Sequence, residues 1–126
     1  MMSILCVGAG GFIGAVGRYG LGLVPLWPDL PAMTLLINFI GSVAIGAIAE
    51  AAELSRGALP RDLVLFLKVG LCGGFTTFST FSLETLELIE GGQYAVAGAY
   101  AVASVALCVA GVITGKFLAR ALAPAG

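Results

Sequence analysis

The stretch Gly73-Gly74-Phe75-Thr76-Thr77-Phe78-Ser79-Thr80-Phe81-Ser82 holds the densest polar chemistry in the sequence. Two glycines and five hydroxyl residues interrupt an otherwise apolar run. Such a segment loosens or breaks a helix, and freed carbonyls then suit a cation while freed N–H groups and hydroxyls suit an anion. A kinked helix whose hydroxyls bond back to carbonyls is the plainer alternative. Phe78 and Phe81 lie three residues apart and share one face. An aromatic ring is negative on its face and positive at its edge. Ring edges turned into a narrow passage favour an anion without a fixed charge to trap it. A packing stripe is the commoner meaning of the same spacing.

Asn38 is an amide about two turns into an apolar run, and Thr34 lies one turn earlier on the same face. An amide in lipid must find a partner. Either it bonds to a neighbouring helix, or its NH2 donates to a passing anion with Thr34 as a polar entry. Tyr100, Ser104 and Cys108 recur every fourth residue as a weakly polar stripe, which fits a pore lining or a helix seam equally. Arg18 stands toward the end of the first apolar block. It can snorkel to the interface and hold a positive potential at a pore mouth. Glu84 lies in the last third of its apolar block. The sequence around Val7-Gly8-Ala9-Gly10-Gly11-Phe12-Ile13-Gly14 imitates a dinucleotide-binding loop, but its third glycine is one residue late and no helix–strand alternation follows.

These residues must be carried by helices in a membrane. Of 126 residues, 60% are hydrophobic and 10% charged, where a soluble domain carries about 25% charged residues. The mean hydropathy is +1.08. The apolar residues fall into four blocks of the length a bilayer requires, at about residues 3–22, 31–52, 61–88 and 93–121. The fold class is therefore an all-α integral membrane protein with four transmembrane helices, the third broken near its middle. Residues 1–126 form one domain. Pro31 falls in the first turn of the second span, where proline is tolerated, and Trp27 suits an interface. The first block lacks the basic flank and cleavage site of a signal peptide and is read as a retained helix.

Net charge is −1, histidine is absent, and nothing points to nucleic acid. Cys6, Cys72 and Cys108 lie inside apolar runs and read as small buried hydrophobes. Gly10/Gly14, Ser42/Gly46 and Gly111/Gly115 are small-xxx-small pairs. They serve packing within the bundle or a dimer interface. Four short helices enclose too little volume for a pore and its walls, which favours an oligomer.

Together these pieces resemble the fluoride channel family known as CrcB or Fluc. The likeness is carried by Gly10-Gly11-x-x-Gly14-Ala15-x-x-Arg18-Tyr19, Asn38-x-x-Gly41-Ser42 and Gly73-Gly74-Phe75-Thr76-Thr77-Phe78-Ser79-Thr80-Phe81. It implies passive, non-enzymatic export of fluoride across the cell inner membrane, protecting against the ion's toxicity. It also implies an antiparallel, dual-topology dimer with two fluoride pathways. Asn38, Phe78 and Phe81 match the pathway positions, with Thr34, Ser79 and Thr80 beside them. Tyr100 and Ser104 match the start of a polar track, and Cys108 stands where a hydroxyl is expected next. Gly73 and Thr76 match positions whose backbone carbonyls hold a structural Na+ at the dimer centre.

The main rival is a small proton-coupled multidrug-type transporter, which needs a titratable carboxylate at the membrane centre; the first span has none. A purely structural membrane subunit would not need the interrupted third span. Orientation tests the homodimer. Arg56, Arg61, Lys68, Lys116 and Arg120 gather at one end and Arg18 leans to the other. That bias places both termini in the cytoplasm and leaves open a heterodimer with an oppositely oriented homologue.

Overall fold

The computed structural model describes residues 1–123, so the end of the domain expected over residues 1–126 lies outside the described residues. All regular structure among the described residues is helical. Helix α1 is Met2–Gly22 and α2 is Ala32–Leu54. The third span, Arg61–Glu90, is a composite. It starts as α3 (Arg61–Val64), widens into a π-helix (Leu65–Cys72) and tightens again as α4 (Gly73–Phe75). After an interruption it resumes as α5 (Phe78–Glu90). Helix α6 is Tyr94–Leu122. Four helical segments are long and apolar enough to cross a membrane, with mean hydropathies of 1.4, 2.0, 1.5 and 2.2. The protein is thus a multi-pass membrane protein. The spans start and stop within two residues of the boundaries read from the sequence, and Pro31 caps α2 from outside instead of occupying its first turn.

The bundle closes on backbone contacts. In lipid, burial of apolar side chains does not drive helices together, so close approach must come from small residues. Gly10 and Gly14 of α1 press against Phe66, Gly70 and Leu71 of the third span, and Gly70 and Gly74 press back against Val7, Gly10 and Gly11. On the other side of the bundle, Gly46 meets Val112, and Gly115 meets Val43 and Ala47. All three small-xxx-small pairs are therefore used for packing inside the chain, the first reading given above. The chain ends are tied as well. Ser3 donates to Asp62 Oδ1 at 2.6 Å. Glu50, 3% exposed, binds Arg120 Nε at 2.6 Å and Lys116 Nζ at 3.1 Å, locking α2 to α6.

These contacts predict a steep contrast between glycines. A Cβ at Gly14 overlaps the Leu71 carbonyl and lies 2.7 Å from Phe75 N, whereas nothing lies within 4 Å of one at Gly8. Gly14→Val should destabilise the fold by about 3 kcal/mol and broaden the size-exclusion peak in detergent. Gly8→Ala should be neutral or slightly stabilising. Thermal unfolding of both variants checks the ordering.

Candidate ion pathway at the helix break

The third span is interrupted at Thr76 and Thr77, close to its midpoint. Both residues are extended, with φ/ψ of −81/156 and −148/112. The sequence placed the break in the glycine pair and the hydroxyl run together; the hydroxyl residues carry it, while Gly73 and Gly74 stay helical and Gly74 gives close approach to Gly11. The break falls at the β-branched hydroxyl residues, whose side chains compete with the backbone for hydrogen bonds. Thr77 begins α5 as its N-cap: its side-chain oxygen accepts from Thr80 N at 3.1 Å. The hydroxyls of Ser79 and Thr80 lie 3.3 and 2.9 Å from that same oxygen. Ser79 and Thr80 therefore build the cap before anything else.

Asn38 clasps the break. Thr77 N donates to Asn38 Oδ1 at 2.7 Å, and Asn38 Nδ2 donates to Thr77 O at 3.0 Å. One amide thus replaces both helical bonds that Thr77 lost. The interhelical partner anticipated for Asn38 is real, and its second N–H hydrogen is left over. Ser42, one turn on, donates to Asn38 O at 2.7 Å and fixes the same stretch of α2. A cleft of about 400 Å³ opens beside this clasp, lined by Asn38, Ser42, Phe78, Phe81, Ser104 and Cys108 among others. Ser104 Oγ is buried there with no hydrogen-bond partner among the described residues, and the residue is 5% exposed. The cleft therefore brings together an N–H, a hydroxyl and a thiol, all able to donate.

Phe78 and Phe81 stack obliquely, ring centroids 5.3 Å apart and planes at 48°, and Phe81 continues onto Tyr100 at 5.3 Å and 47°. Phe78 is 76% exposed, an aromatic ring at membrane depth that this chain alone leaves uncovered.

Other candidate residues lie elsewhere. Thr34 donates to Glu84 Oε1 at 2.7 Å and Tyr100 to Glu84 Oε2 at 2.8 Å. Both hydroxyls are thereby committed to a carboxylate, and Thr34 does not join Asn38 in the cleft. The sequence reading placed Glu84 only by its position, in the last third of its apolar block, and missed it as a hub. The signal was present: Phe78, Phe81 and Glu84 follow at three-residue steps on α5. Arg18 does not point away toward the interface; its Nε donates to Gly74 O at 3.2 Å, just before the break.

The break also leaves carbonyls over. Among the described residues no hydrogen bond reaches Gly73 O or Thr76 O: the donors that a helix would offer them, Thr77 N and Thr80 N, are taken by Asn38 and by the Thr77 hydroxyl. Neutral carbonyls of this kind fit a monovalent cation. No cluster of three or more His, Cys, Asp or Glu side chains that could hold a metal occurs among the described residues.

Four spans, a central break and a polar cleft beside it define a small multi-pass membrane protein. The model of the family described as CrcB-like protein, Camphor Resistance (CrcB), matches residues 5–116. A relative from Nitrobacter hamburgensis, named Fluoride-specific ion channel FluC 1, is 48% identical over 122 residues, covering 94% of this chain and 96% of its own. Relatives named Fluoride-specific ion channel FluC are 41% identical in Ruminiclostridium cellulolyticum, over 98% of this chain and 96% of theirs, and 46% identical in Rhizobium meliloti, over 97% and 99%. The chain belongs to the CrcB family.

The cleft makes a prediction about thiols. Cys108 is half-buried and lines it, as does Cys72, but Cys72 is only 3% exposed. Only a wetted thiol reaches the reactive thiolate form. In a Cys6→Ser background, a small methanethiosulfonate should label Cys108 and leave Cys72 unmodified, as intact-protein mass spectrometry of Cys108→Ser and Cys72→Ser variants will read. No labelling of Cys108 would mean that the cleft is dry.

Proposed function

We propose that this chain is the conducting unit of a fluoride-specific channel in the cell inner membrane, letting fluoride trapped in the cytoplasm leave passively. The names carried by its relatives supply the ion. The observation that carries the site is the clasp at the break: a central backbone interruption held by Asn38, with a cleft of donors and two phenylalanines beside it. Residues 1–126 act as a single channel domain, with no enzyme chemistry.

In this reading Asn38 offers its remaining N–H, Ser104 its unpartnered hydroxyl and Phe78 and Phe81 their ring edges to a partly dehydrated anion. Ser79 and Thr80 shape the start of α5 beside the path, while Thr34 and Tyr100 border it through Glu84. Arg18 adds positive potential next to the break. None of the cleft residues carries a fixed charge, so the anion is held without being trapped. Outward movement is driven by the membrane potential, about 2.3 kcal/mol per charge per 100 mV. A proton-coupled transporter is the weaker reading, because Glu84 stands well past the break.

The path is open on the side where Phe78 is exposed, so a second subunit is needed to close it. Its contact would also bring the carbonyls of Gly73 and Thr76 from two subunits together. Four converging carbonyl oxygens repel one another unless a cation neutralises them, and Na+ bound there would be structural. The ion supplies charge balance at the subunit contact; this chain's part is to leave those two carbonyls unpaired.

Two experiments test the reading. In fluoride-efflux assays on liposomes, Asn38→Asp puts an anion against the Thr77 carbonyl and in the path. Two like charges at about 4 Å repel by ~4 kcal/mol at an effective dielectric of 20, so flux should fall roughly 10³-fold. Phe78→Ile, which keeps the bulk and removes the ring edge, should also lower it. Parent-like flux from both variants would overturn the pathway. Reporter fusions at the C-terminus test the assembly. The positive end should hold the C-terminus in the cytoplasm. If every C-terminus is cytoplasmic and the chain alone gives no flux, the assembly is a heterodimer with an oppositely oriented homologue. If both orientations appear, it is a homodimer.

A further inference from the structure

A second concave surface lies far from the helix break, at the end of the bundle where α2 and α6 finish. It is a groove of about 1110 Å³, walled by Ile48, Ala51 and Leu54 of α2, Leu59 of the following loop and Leu122 of α6. Its size exceeds the roughly 300–1,000 Å³ of ordinary small-molecule sites, and its walls are almost wholly apolar. Leu54 and Leu122 are the last residues of their helices, so the groove runs into the depth where hydrocarbon gives way to headgroups. At that rim stand Ser55 and Arg56.

Arg56 is set apart from the other cations at this end. Glu50 takes Arg120 and Lys116, Glu53 takes Lys116 at 3.7 Å, and Asp62 takes Ser3. Every nearby carboxylate is thus engaged by another residue, and among the described residues Arg56 has no ion pair or side-chain hydrogen bond. Its backbone has φ 48, followed by Gly57 at φ 89. The position after a helix end with positive φ is ordinarily glycine or asparagine. An arginine there costs backbone strain, which a side chain with no partner inside the protein does not offset.

We propose that this groove is a binding site for an anionic phospholipid, with an acyl chain along α2 and α6 and the headgroup phosphate on the Arg56 guanidinium. The apolar wall matches the chain and the unpaired fork matches the phosphate, which Arg recognises with two parallel hydrogen bonds. A second copy of this chain is the poorer occupant: the antiparallel pair proposed above meets at the helix break and sets the two grooves at opposite membrane surfaces. The site is independent of the proposed conduction path and stands or falls separately.

The test is native mass spectrometry of the full chain in mixed micelles holding equal amounts of phosphatidylglycerol and phosphatidylcholine. One basic residue at an anionic membrane surface is worth about fivefold in partitioning. Phosphatidylglycerol should therefore be retained about fivefold over phosphatidylcholine. Arg56→Gln should bring the ratio to about one, and Arg56→Lys should keep most of it. Ala51→Trp, which fills the groove, should lower retention of both lipids, while fluoride efflux from phosphatidylcholine liposomes stays at the parent level in Arg56→Gln. A ratio near one in the parent would overturn the proposal. So would a preference that survives Arg56→Gln, or one that falls equally in Arg61→Gln, since that pattern belongs to diffuse surface charge.

Discussion

A peptide group without a hydrogen-bond partner costs several kcal/mol in hydrocarbon, and this chain interrupts a helix at the centre of its third span. Everything near the break answers that cost. Thr77 loses both helical partners, and a single amide, Asn38, returns both. Thr76 N still reaches Cys72 O at 3.0 Å, so the first half ends with its last donor satisfied. Thr77 Oγ1 then supplies the acceptor that the first turn of α5 lacks. The break is therefore an ordered structure in which the freed donors of Thr77 and Thr80 both have named acceptors. A short apolar side chain at residue 38 would leave Thr77 N–H and C=O bare together.

Holding Asn38 within reach demands that α2 approach the break almost backbone to backbone. A Cβ at Gly41 would collide with the Thr76 side chain and come within 3.3 Å of the Phe75 ring. Gly41 lies three residues after Asn38, so the clasp and the clearance for it sit on the same stretch of helix. The opposite wall is α1, whose Gly10 and Gly14 admit the widened turns of the third span. The π-helix just before the break adds a residue per turn and turns side chains to new directions. Arg18 reaches Gly74 O from the α1 side. The break is thus gripped from two helices, by an amide on one side and a guanidinium on the other.

Class, span count and the existence of the break were legible in the sequence, because each is a one-dimensional signal: apolar length, hydroxyl density, glycine spacing. The exact residues of the break were not. Gly73-Gly74 looked weakest by propensity, yet in a bundle held by close backbone contact a glycine serves approach, and Gly74 against Gly11 keeps the helix intact. Tertiary packing overrode propensity. Partner choice was also illegible. Thr34 and Asn38 share a face four residues apart, and the sequence assigns them a common role. One goes to Glu84 and the other to Thr77, because α2 and the third span meet in opposite chain directions and successive turns face different groups. Arg18 misled for a related reason: its position suggests an interface, while the nearest unmet acceptor lies inward.

In the reading proposed above, the break would let one short segment serve ions of both signs. A helix ends negative and begins positive, because unpaired carbonyls gather at its C-terminus and unpaired N–H groups at its N-terminus. In a continuous helix those ends are at opposite membrane faces. Here the first half of the span ends at Phe75 and α5 begins at Phe78, so the two poles stand side by side at the membrane centre. The carbonyls of Gly73 and Thr76 belong to the first pole, and the cleft with Phe78, Phe81 and the free donor of Asn38 lies beside the second. A cation drawn to the carbonyls would raise the potential felt in the cleft, where the low dielectric lets it act at range. An anion path that relied on a fixed arginine would hold its ion too tightly to release it. Dipole ends, ring edges and a neutral amide would supply attraction in small portions, and Glu84, bonded to Thr34 and Tyr100, lies beyond them along α5.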